Sequence, residues 1–132
     1  MKKLNIYIDG ASKGNPGPAG IGVVISCDGE VLKNISVNIG IATNNFAEYT
    51  ALIYALQEAL IMKAEELYIK SDSLLLCKQI NREYKVKNVN IIRLYKQAQH
   101  LITAFKQVKV SHIRREFNSG ADKLANQAVK KA

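Results

Sequence analysis

The spacing of apolar residues changes about one third of the way along this chain of 132 residues. Near the N-terminus, Leu4, Ile6 and Ile8 alternate with residues of the opposite face, a period of two that is typical of a β-strand. From Asn44 onward, alanine-rich apolar positions recur at the spacing of an α-helix. Because both periods occur in one short chain, the sequence predicts an α/β fold.

The turn signals divide the chain into a series of predicted elements. The strands are expected at residues 4–8, 20–26, 30–41, 67–71 and 108–114, and the helices from residue 44 and at 74–83, 90–105 and 119–130. The first strand is expected to end at Asp9 and Gly10, and residues 14–18, which hold both prolines, form a loop. The Asp28-Gly29 pair predicts a hairpin.

The order of these elements, β-β-β-α-β-α-α-β-α, predicts a mixed five-stranded sheet flanked by helices. Three antiparallel strands come first, and the strands that follow helices extend them in parallel. Residues 1–132 are expected to form a single domain, because no internal repeat, low-complexity segment or linker interrupts the pattern. A hydrophobic content of 48% excludes a disordered or fibrous chain.

The chain is strongly basic, with 19 Lys and Arg residues against 11 Asp and Glu residues and a net charge of +8. This excess predicts a polyanionic partner, nucleic acid before a membrane surface, although many basic proteins are simply soluble. No apolar run approaches the roughly 18 residues of a membrane span, and the N-terminal apolar stretch is too short for a signal peptide. Cys27 and Cys77 form no CxxC pattern, so we expect free thiols, no zinc site and a cytoplasmic protein.

Four acidic residues stand where predicted elements begin or end. Asp9 and Asp72 follow the first and fourth strands, and Glu48 and Asp122 lie in the first turns of the first and last helices. Each also has a purely structural interpretation: Asp9-Gly10 as a turn, Asn45-x-x-Glu48 and Ser119-x-x-Asp122 as capping boxes, and Asp72 as a helix N-cap.

The four acids gain a joint meaning if the first and fourth strands are neighbours. Sheets with parallel strands bind ligands at the carboxyl ends of those strands, where Asp9 and Asp72 would then converge. Several carboxylates this close stay ionised only beside a cation, and hard oxygen ligands suit Mg²⁺ or Mn²⁺. On a basic domain, this predicts two metal ions arranged for in-line attack on a phosphodiester, one activating water and the other stabilising the leaving oxygen.

Four sequence segments resemble the type 1 ribonuclease H family. They are Ile8-Asp9-Gly10-Ala11-Ser12-Lys13-Gly14-Asn15-Pro16-Gly17-Pro18-Ala19-Gly20, Thr43-Asn44-Asn45-x-x-Glu48, Ser71-Asp72-Ser73 and Asn118-Ser119-Gly120-Ala121-Asp122-x-Leu124-Ala125. They occur in the family's order and span essentially the whole chain. The resemblance implies a ribonuclease H fold and an endoribonuclease that cleaves the RNA strand of RNA/DNA hybrids with two Mg²⁺ ions, or Mn²⁺ as a substitute. The expected products carry 5′-phosphate and 3′-hydroxyl ends.

The same resemblance assigns roles to individual residues. Asp9, Glu48, Asp72 and Asp122 match the family's catalytic, metal-binding acids. Asn15, Asn44 and Glu48 match positions that contact the ribose, whose 2′-hydroxyl distinguishes RNA from DNA. Asn45 matches a DNA-strand contact, and Thr43 and Ser73 match part of a phosphate pocket on that strand. Structural alternatives stay open, namely turn formation for Asn15 and helix capping within Thr43-Asn44-Asn45.

The chain departs from the family pattern at two places. Leu74 stands where many members have a polar side chain that contacts nucleic acid, which implies that one contact is missing. Only residues 84–89 are expected between the two middle helices, so the extended basic protrusion of some members is absent. A basic segment, residues 78–96, still holds Lys78, Arg82, Lys85, Lys87, Arg93 and Lys96 against the single acid Glu83. It predicts either a nucleic-acid contact or a solvated helix face.

The loop before the last helix offers two candidates for the mobile His or Glu that assists the family's fourth acid. His112 occupies the family's histidine position by count, but the alternation of residues 108–112 places it in a strand. Glu116 resembles the acidic version found in some members and is the preferred candidate. Arg114 and Arg115 either contact phosphates or solvate the loop.

Two other functions fit the same residues. A different metal-dependent nuclease of this fold, such as a junction resolvase or a transposase-like strand cutter, fits the acids but not the ribose contacts expected of Asn15 and Asn44. A nucleic-acid-binding module with weak or no turnover fits Leu74 and the short basic connection. No segment resembles an oligomerisation element, so we expect a monomer that acts on hybrid without an obligate protein partner or a membrane.

Overall fold

The structure, a computed structural model, describes residues 2–130. Its elements are β1 Lys3–Ser12, β2 Gly17–Cys27, β3 Glu30–Ala42, α1 Asn44–Ile61, β4 Glu66–Ser71, α2 Leu74–Ile80, α3 Val89–Ile102, β5 Gln107–His112 and α4 Ser119–Val129. A short 3₁₀ turn, Arg115–Phe117, precedes α4. The predicted order of strands and helices is therefore confirmed.

The strands form one mixed sheet in the order β3-β2-β1-β4-β5. The pairs β1–β2 and β2–β3 are antiparallel, whereas β1–β4 and β4–β5 are parallel. The predicted five-stranded mixed sheet is confirmed, and so is the expectation that the first and fourth strands are neighbours. Asp9 consequently lies in β1, and Asp72 lies directly after the adjacent strand β4.

One face of the sheet carries the main hydrophobic core. Leu4, Ile6 and Ile8 of β1 are fully buried there together with Leu52 and Leu56 of α1. Apolar residues of α2 and α3 belong to the same core. Removing this apolar surface from water is the dominant favourable contribution to folding, and it orients α1 so that its first turns meet the C-terminal part of β1 at Gly10.

The helix α4 packs on the opposite face, against glycines of β2. Ile21 and Val23 belong to the main core, so the alternate positions Gly20 and Gly22 face the other way. A Cβ atom on Gly22 would lie 2.1 Å from the backbone O of Ala121 in α4. Only glycine permits a helix backbone this close to a strand, and the approach brings the first turn of α4 over the centre of the sheet.

The first strand is longer than its apolar alternation predicts, and the prediction that it ends at Asp9 and Gly10 is wrong. Antiparallel pairing with β2 continues through Ser12, whereas parallel pairing with β4 stops at Ile8. The break in the apolar pattern therefore marks the end of the parallel pairing and not the end of the strand. The predicted loop at 14–18 is also shorter, because β2 begins at Gly17.

Four predicted elements extend beyond their observed ends. The helix α2 stops at Ile80 and not at residue 83, because Arg82 has a φ of 64°, which a right-handed helix excludes. In α3, residues 103–105 donate to carbonyls three residues back, a 3₁₀ pattern that ends the α-helix before residue 105. The strand β5 ends at His112, where its partner β4 also ends, and α4 ends at Val129.

Two further expectations concern membrane spans and thiols. Within residues 2–130, no helix combines the length and apolarity that crossing a membrane requires. Cys27 and Cys77 are free, the first half-buried and the second buried, and burial raises the pKa of the Cys77 thiol to about 11.

Candidate active site

Two consecutive residues of β1, Asp9 and Gly10, bring helices from both faces of the sheet to one place. Asp9 pairs with Gly22 across the antiparallel ladder, so its side chain lies on the face that α4 covers. Gly10 meets α1, where a Cβ atom would lie 2.4 Å from the backbone N of Glu48. Its backbone N–H donates a hydrogen bond to Oε1 of the Glu48 carboxylate. The two glycines therefore let α1 and α4 carry acids to Asp9.

A cavity of about 440 Å³ contains all four predicted acids. Its lining consists of Asp9, Gly10, Ala11, Ser12, Lys13, Asn44, Glu48, Asp72, Ser73, Arg115, Asp122 and Asn126. Asp9 and Glu48 are buried at its floor, with 5% and 4% of their surfaces exposed, whereas Asp72 and Asp122 are half-buried. The structure therefore brings together acids that are more than a hundred residues apart in the chain.

Three of the acids have the spacing of a metal site. Carboxylate oxygens of Asp9, Glu48 and Asp72 lie within 4.8 Å of one another. Asp122 lies outside this group of three on the same cavity, where Nδ2 of Asn126 donates to its Oδ1 at 3.2 Å and Nη2 of Arg115 lies 3.8 Å away. Clustered carboxylate oxygens are the donor set that Mg²⁺ and Mn²⁺ prefer, so the residues present fit such an ion.

The electrostatic environment of the cavity also favours a bound cation. Burial raises the pKa of the Asp9 carboxyl from 3.8 to about 8, and the negative charges of Asp72 and Asp122 add to the shift. Burial likewise raises the pKa of Glu48 well above 4.5, with further contributions from Asp9 and Asp72, while the N–H of Gly10 acts in the opposite direction. Without a cation, these buried groups favour the protonated state, and a bound cation would reverse that preference.

The structural interpretations of the four acids are wrong. The N-caps of α1 and α2 are Thr43 and Ser73, whose hydroxyls accept hydrogen bonds from the backbone N–H groups of Phe46 and Leu76. Neither helix uses Asn45 or Asp72 as its cap, and the N-cap of α4 is Asn118 and not Ser119. Asp9 lies inside β1, which excludes a turn at Asp9-Gly10. The acids are therefore free of the local roles that their positions suggest.

Comparison with known proteins identifies the fold. A family model described as reverse transcriptase-like matches residues 7–128. A ribonuclease HI of Halobacterium salinarum is 39% identical over 128 residues, which cover 96% of this chain and 64% of that protein. The chain belongs to the ribonuclease H family. The crystal structure of RNase H1 from the same archaeon superposes with a TM-score of 0.95 at 38% identity, covering 98% of this chain and 99% of the other.

Two further comparisons concern a longer protein and a solved complex. The bifunctional protein Rv2228c of Mycobacterium tuberculosis is 41% identical over 129 residues, covering 96% of this chain but only 35% of that protein. The crystal structure of LC11-RNase H1 in complex with an RNA/DNA hybrid gives a TM-score of 0.92 at 39% identity, covering 97% of both chains. The chain thus spans about a third of the mycobacterial relative's length, and it superposes with a TM-score of 0.94 on the solved structure of that protein's N-terminal RNase H domain.

Two of the residues that the ribonuclease H resemblance assigns to the ribose contact each other. Oδ1 of Asn15 accepts a hydrogen bond from the backbone N–H of Asn44 at 3.0 Å, which ties the loop after β1 to the start of α1. Both residues are exposed, and Asn44 lines the acid cavity. Asn45 is half-buried, and its Oδ1 is buried with no hydrogen-bond partner within residues 2–130. Neither Asn44 nor Asn45 is consumed by capping.

The hydroxyls of Thr43 and Ser73 can each cap a helix and also donate a hydrogen bond to a substrate. Each oxygen already accepts a backbone hydrogen bond as a helix cap. A hydroxyl that accepts keeps its hydrogen, which can still be donated to a phosphate oxygen. Ser73 also lines the acid cavity, whereas Thr43 lines a neighbouring cavity of about 400 Å³ with Asn88 and Asn90.

The loop before α4 places a different residue at the cavity than the one the sequence favours. Glu116 is exposed and lies 3.9 Å from Arg114, outside the residues that line the acid cavity. His112 belongs to β5, as its alternation predicts, and is the exposed last residue of that strand. Arg115 reaches the cavity instead and faces Asp122. The sequence did not indicate whether Arg114 or Arg115 would reach the site.

The basic segment 78–96 includes the short connection between α2 and α3, and several of its residues line another cavity. Residues 81–88 join α2 to α3, so no extended protrusion is present between these helices. Arg82, Lys85 and Lys96 line a cavity of about 630 Å³ together with Tyr84 and Tyr95. Lys78 does not line this cavity, but its Nζ lies 3.2 Å from Oε1 of Glu83, which does.

Lys13 and Asn126 line the cavity, although neither was assigned a role from the sequence. Lys13 lies in the first family segment, directly beyond β1, but a single loop lysine carries little signal. Asn126 follows Asp122 by one helical turn, and residues four apart share a helix face, so this neighbour could have been inferred.

Proposed function

We propose that this protein is a metal-dependent endoribonuclease that cleaves the RNA strand of RNA/DNA hybrids. The observation that carries the proposal is the group of three carboxylates, Asp9, Glu48 and Asp72, whose oxygens lie within 4.8 Å of one another. This negative cluster lies in a chain of net charge +8, which suits a polyanionic substrate. The family membership and the hybrid complex of the related LC11 enzyme support the choice of substrate.

The four acids would hold the metal. Two Mg²⁺ ions, which Mn²⁺ can replace, would supply an activated nucleophile and stabilise the leaving oxygen, leaving 5′-phosphate and 3′-hydroxyl ends. Asp9 and Glu48 are buried and fixed by strand and helix, so they form the rigid part of the site. Asp72 and Asp122 are more exposed and complete the site at its open side.

Recognition of the hybrid would rest on the polar rim of the cavity. The amides of Asn15 and Asn44 offer donors and acceptors to the 2′-hydroxyl of the RNA strand. Thr43, Asn45 and Ser73 would contact the DNA strand, the two hydroxyls donating to phosphate. Lys13 and Arg115 add positive charge at the cavity wall, where substrate phosphates must pass. Glu116 as an assistant of the fourth acid stays a prediction.

We also infer a cytoplasmic monomer with no obligate protein partner. Unpaired cysteines suit a reducing compartment. Size-exclusion chromatography with light scattering tests the oligomeric state, and a mass near 14.6 kDa is expected.

One assay tests the activity. The purified protein is incubated with a hybrid labelled on its RNA strand, in Mg²⁺, in Mn²⁺ and in EDTA. Cleavage of the RNA strand in either metal but not in EDTA is expected. Absence of cleavage in all three would favour a binding module, and faster cleavage of duplex or branched DNA would favour another nuclease of this fold.

Substitutions of the acids separate chemistry from binding. Asp9→Asn and Asp72→Asn each remove a ligand but leave the basic residues in place, so cleavage should fall by more than about 100-fold while hybrid binding is retained. Asp28→Asn is the matched control, because it makes the same charge change in the β2–β3 hairpin, where the φ of 51° suits Asn. Equal loss of binding and cleavage in a folded Asp9→Asn variant would contradict the assignment.

A further inference from the structure

Asn118 is a buried polar residue directly before α4, with 1% of its surface exposed. It occupies the N-cap position of α4, yet its side chain makes no capping hydrogen bond to that helix. Asparagine at an N-cap ordinarily accepts a hydrogen bond from the first turn. The side chain is therefore engaged elsewhere.

The side chain of Asn118 contacts one acid directly and the backbone beside a second. Its Nδ2 donates to the backbone O of Ile8, next to Asp9, at 2.9 Å and to Oδ2 of Asp72 at 3.4 Å. Its backbone O accepts from the N–H of Asp122 at 3.0 Å, which is the first backbone hydrogen bond of α4 and does not depend on the side chain. One residue thus joins β1, the end of β4 and the first turn of α4 at the point where their acids meet.

The orientation of this amide follows from its partners. The O of Ile8 and the carboxylate of Asp72 both accept hydrogen bonds, so the NH₂ group must face them. Oδ1 then points away and is buried with no hydrogen-bond partner in the part of the chain that the structure describes. A buried acceptor without a partner is unfavourable for folding, so asparagine at this position carries a cost that its two Nδ2 contacts must offset.

We propose that Asn118 is a positioning residue for the metal site. Its amide holds Asp72 in one orientation and ties the start of α4 to β1, so that Asp72 and Asp122 face Asp9 before any cation binds. Residues that orient metal ligands in this way commonly change metal affinity or activity by about 10- to 100-fold when they are replaced. The inference rests on the proposed metal-dependent function and assigns Asn118 a role within it.

The test measures cation affinity as well as cleavage, on the full chain. Asn118→Ala and Asn118→Ser both remove the amide. Serine is a good N-cap and can close the first turn of α4 itself, so this variant should fold even if the alanine variant does not. Binding of Mg²⁺ and Mn²⁺ is followed by calorimetry after EDTA treatment, and circular dichroism checks the fold.

The matched control is Asn38→Ala. Nδ2 of Asn38 donates to the backbone O of Ala128 at 3.1 Å, so this amide ties the other end of α4 to β3 without touching an acid. We expect the Asn118 variants to bind Mg²⁺ about 10- to 100-fold more weakly and to cleave hybrid more slowly at saturating hybrid, whereas Asn38→Ala retains the parent affinity.

Each alternative outcome is distinct. Parent-like Mg²⁺ and Mn²⁺ affinity in a folded Asn118 variant would overturn the positioning role, as would an equal loss in Asn38→Ala, which would trace the effect to general docking of α4. A parent protein that binds both cations but leaves hybrid intact would contradict the proposed activity alone, because the affinity ratio still reports on Asn118. A parent that binds neither cation would overturn both.

Discussion

The backbone N–H of Gly10 donates a hydrogen bond to Oε1 of Glu48, where α1 meets the middle strand of the sheet. Asp9 directly precedes Gly10, so this contact sets the separation between the first two acids of the cavity. The glycine also has no room for a side chain, since a Cβ atom would lie 2.4 Å from the backbone of Ala47 and Glu48. The geometry of the two buried acids therefore depends on a residue that carries no functional group.

Replacing this glycine should damage both the fold and the site. In Gly10→Ala, the added methyl group must push the first turn of α1 away from β1, which costs about 1–3 kcal/mol of the free energy of unfolding. Cleavage should fall further than stability alone explains, because Glu48 moves with the helix. Thermal unfolding and a hybrid cleavage assay measure the two effects.

Gly120→Ala is the control for that substitution. A Cβ atom at Gly120 would lie 3.5 Å from Cγ2 of Val24, an ordinary contact, and alanine favours a helix over glycine by about 1 kcal/mol. This variant should be at least as stable as the parent. If Gly10→Ala behaved the same way, the close approach of α1 would have no energetic consequence.

The stability of the metal-free protein should decrease as the pH rises from about 4 to about 8. In the unfolded chain, the carboxyl of Asp9 loses its proton near its ordinary pKa of 3.8, whereas in the folded protein it keeps the proton to about 8. Between these values the folded state binds more protons, so raising the pH lowers the free energy of unfolding. In EDTA, we expect a lower melting temperature at pH 8.5 than at pH 5.5, by several degrees.

The Asp9→Asn variant and added Mg²⁺ distinguish this effect from the titration of other groups. Asp9→Asn has no proton to lose, so its melting temperature in EDTA should change less over the same range and exceed that of the parent at pH 8.5. Mg²⁺ should restore the parent's stability chiefly at the higher pH, where the carboxylates are free to bind it. A parent and an Asp9→Asn variant with identical pH profiles would argue against a perturbed Asp9.

Arg115 should contribute to substrate binding and Arg114 should not. Arg115 lines the acid cavity, whereas Arg114 lies beside Glu116 outside it. Removing one phosphate contact weakens binding by roughly threefold to tenfold and reduces the slope of log affinity against log salt by about 1. Fluorescence anisotropy with labelled hybrid in EDTA at several salt concentrations measures this for Arg115→Ala. Equal effects of Arg114→Ala would assign the contribution to loop charge in general.

Lys96 tests whether the basic segment 78–96 contacts nucleic acid. Lys96 lines the cavity shared with Arg82 and Lys85, so Lys96→Ala should weaken hybrid binding evenly across sequences and lower the salt slope. Lys106→Ala is the control, because Lys106 lies 3.6 Å from Glu65 and is already paired. Unchanged binding in Lys96→Ala would indicate that the segment is a solvated helix face.

Much of the fold follows from local patterns. The alternation in β1 and the alanine-rich spacing of α1 depend on neighbouring residues only, so both elements and their order could be predicted. Their ends could not, because β1 continues to Ser12 through pairing with β2, a contact between segments that the apolar pattern does not report. The end of α2 likewise depends on the left-handed backbone of Arg82.

The candidate site, like the fold, was only partly predictable from local sequence patterns. Local spacing places Glu48 and Asp122 at helix starts whether they act as caps or as ligands, so sequence alone leaves both interpretations open. The structure excludes the capping interpretation, because Thr43 and Asn118 occupy the cap positions. Arg115 and Glu116 are adjacent in sequence, and only the 3₁₀ turn determines which of them reaches the cavity.

The sequence by itself determined the element order, the basic character of the chain and the four acids, because periodicity, composition and motif spacing are properties of neighbouring residues. The tertiary structure alone decided that these acids share one cavity, that Gly10 and Gly22 admit two helices to it, and that Asn118 joins three of its walls. These relationships depend on strand register and on the distance between elements, which bring together residues that are far apart along the chain.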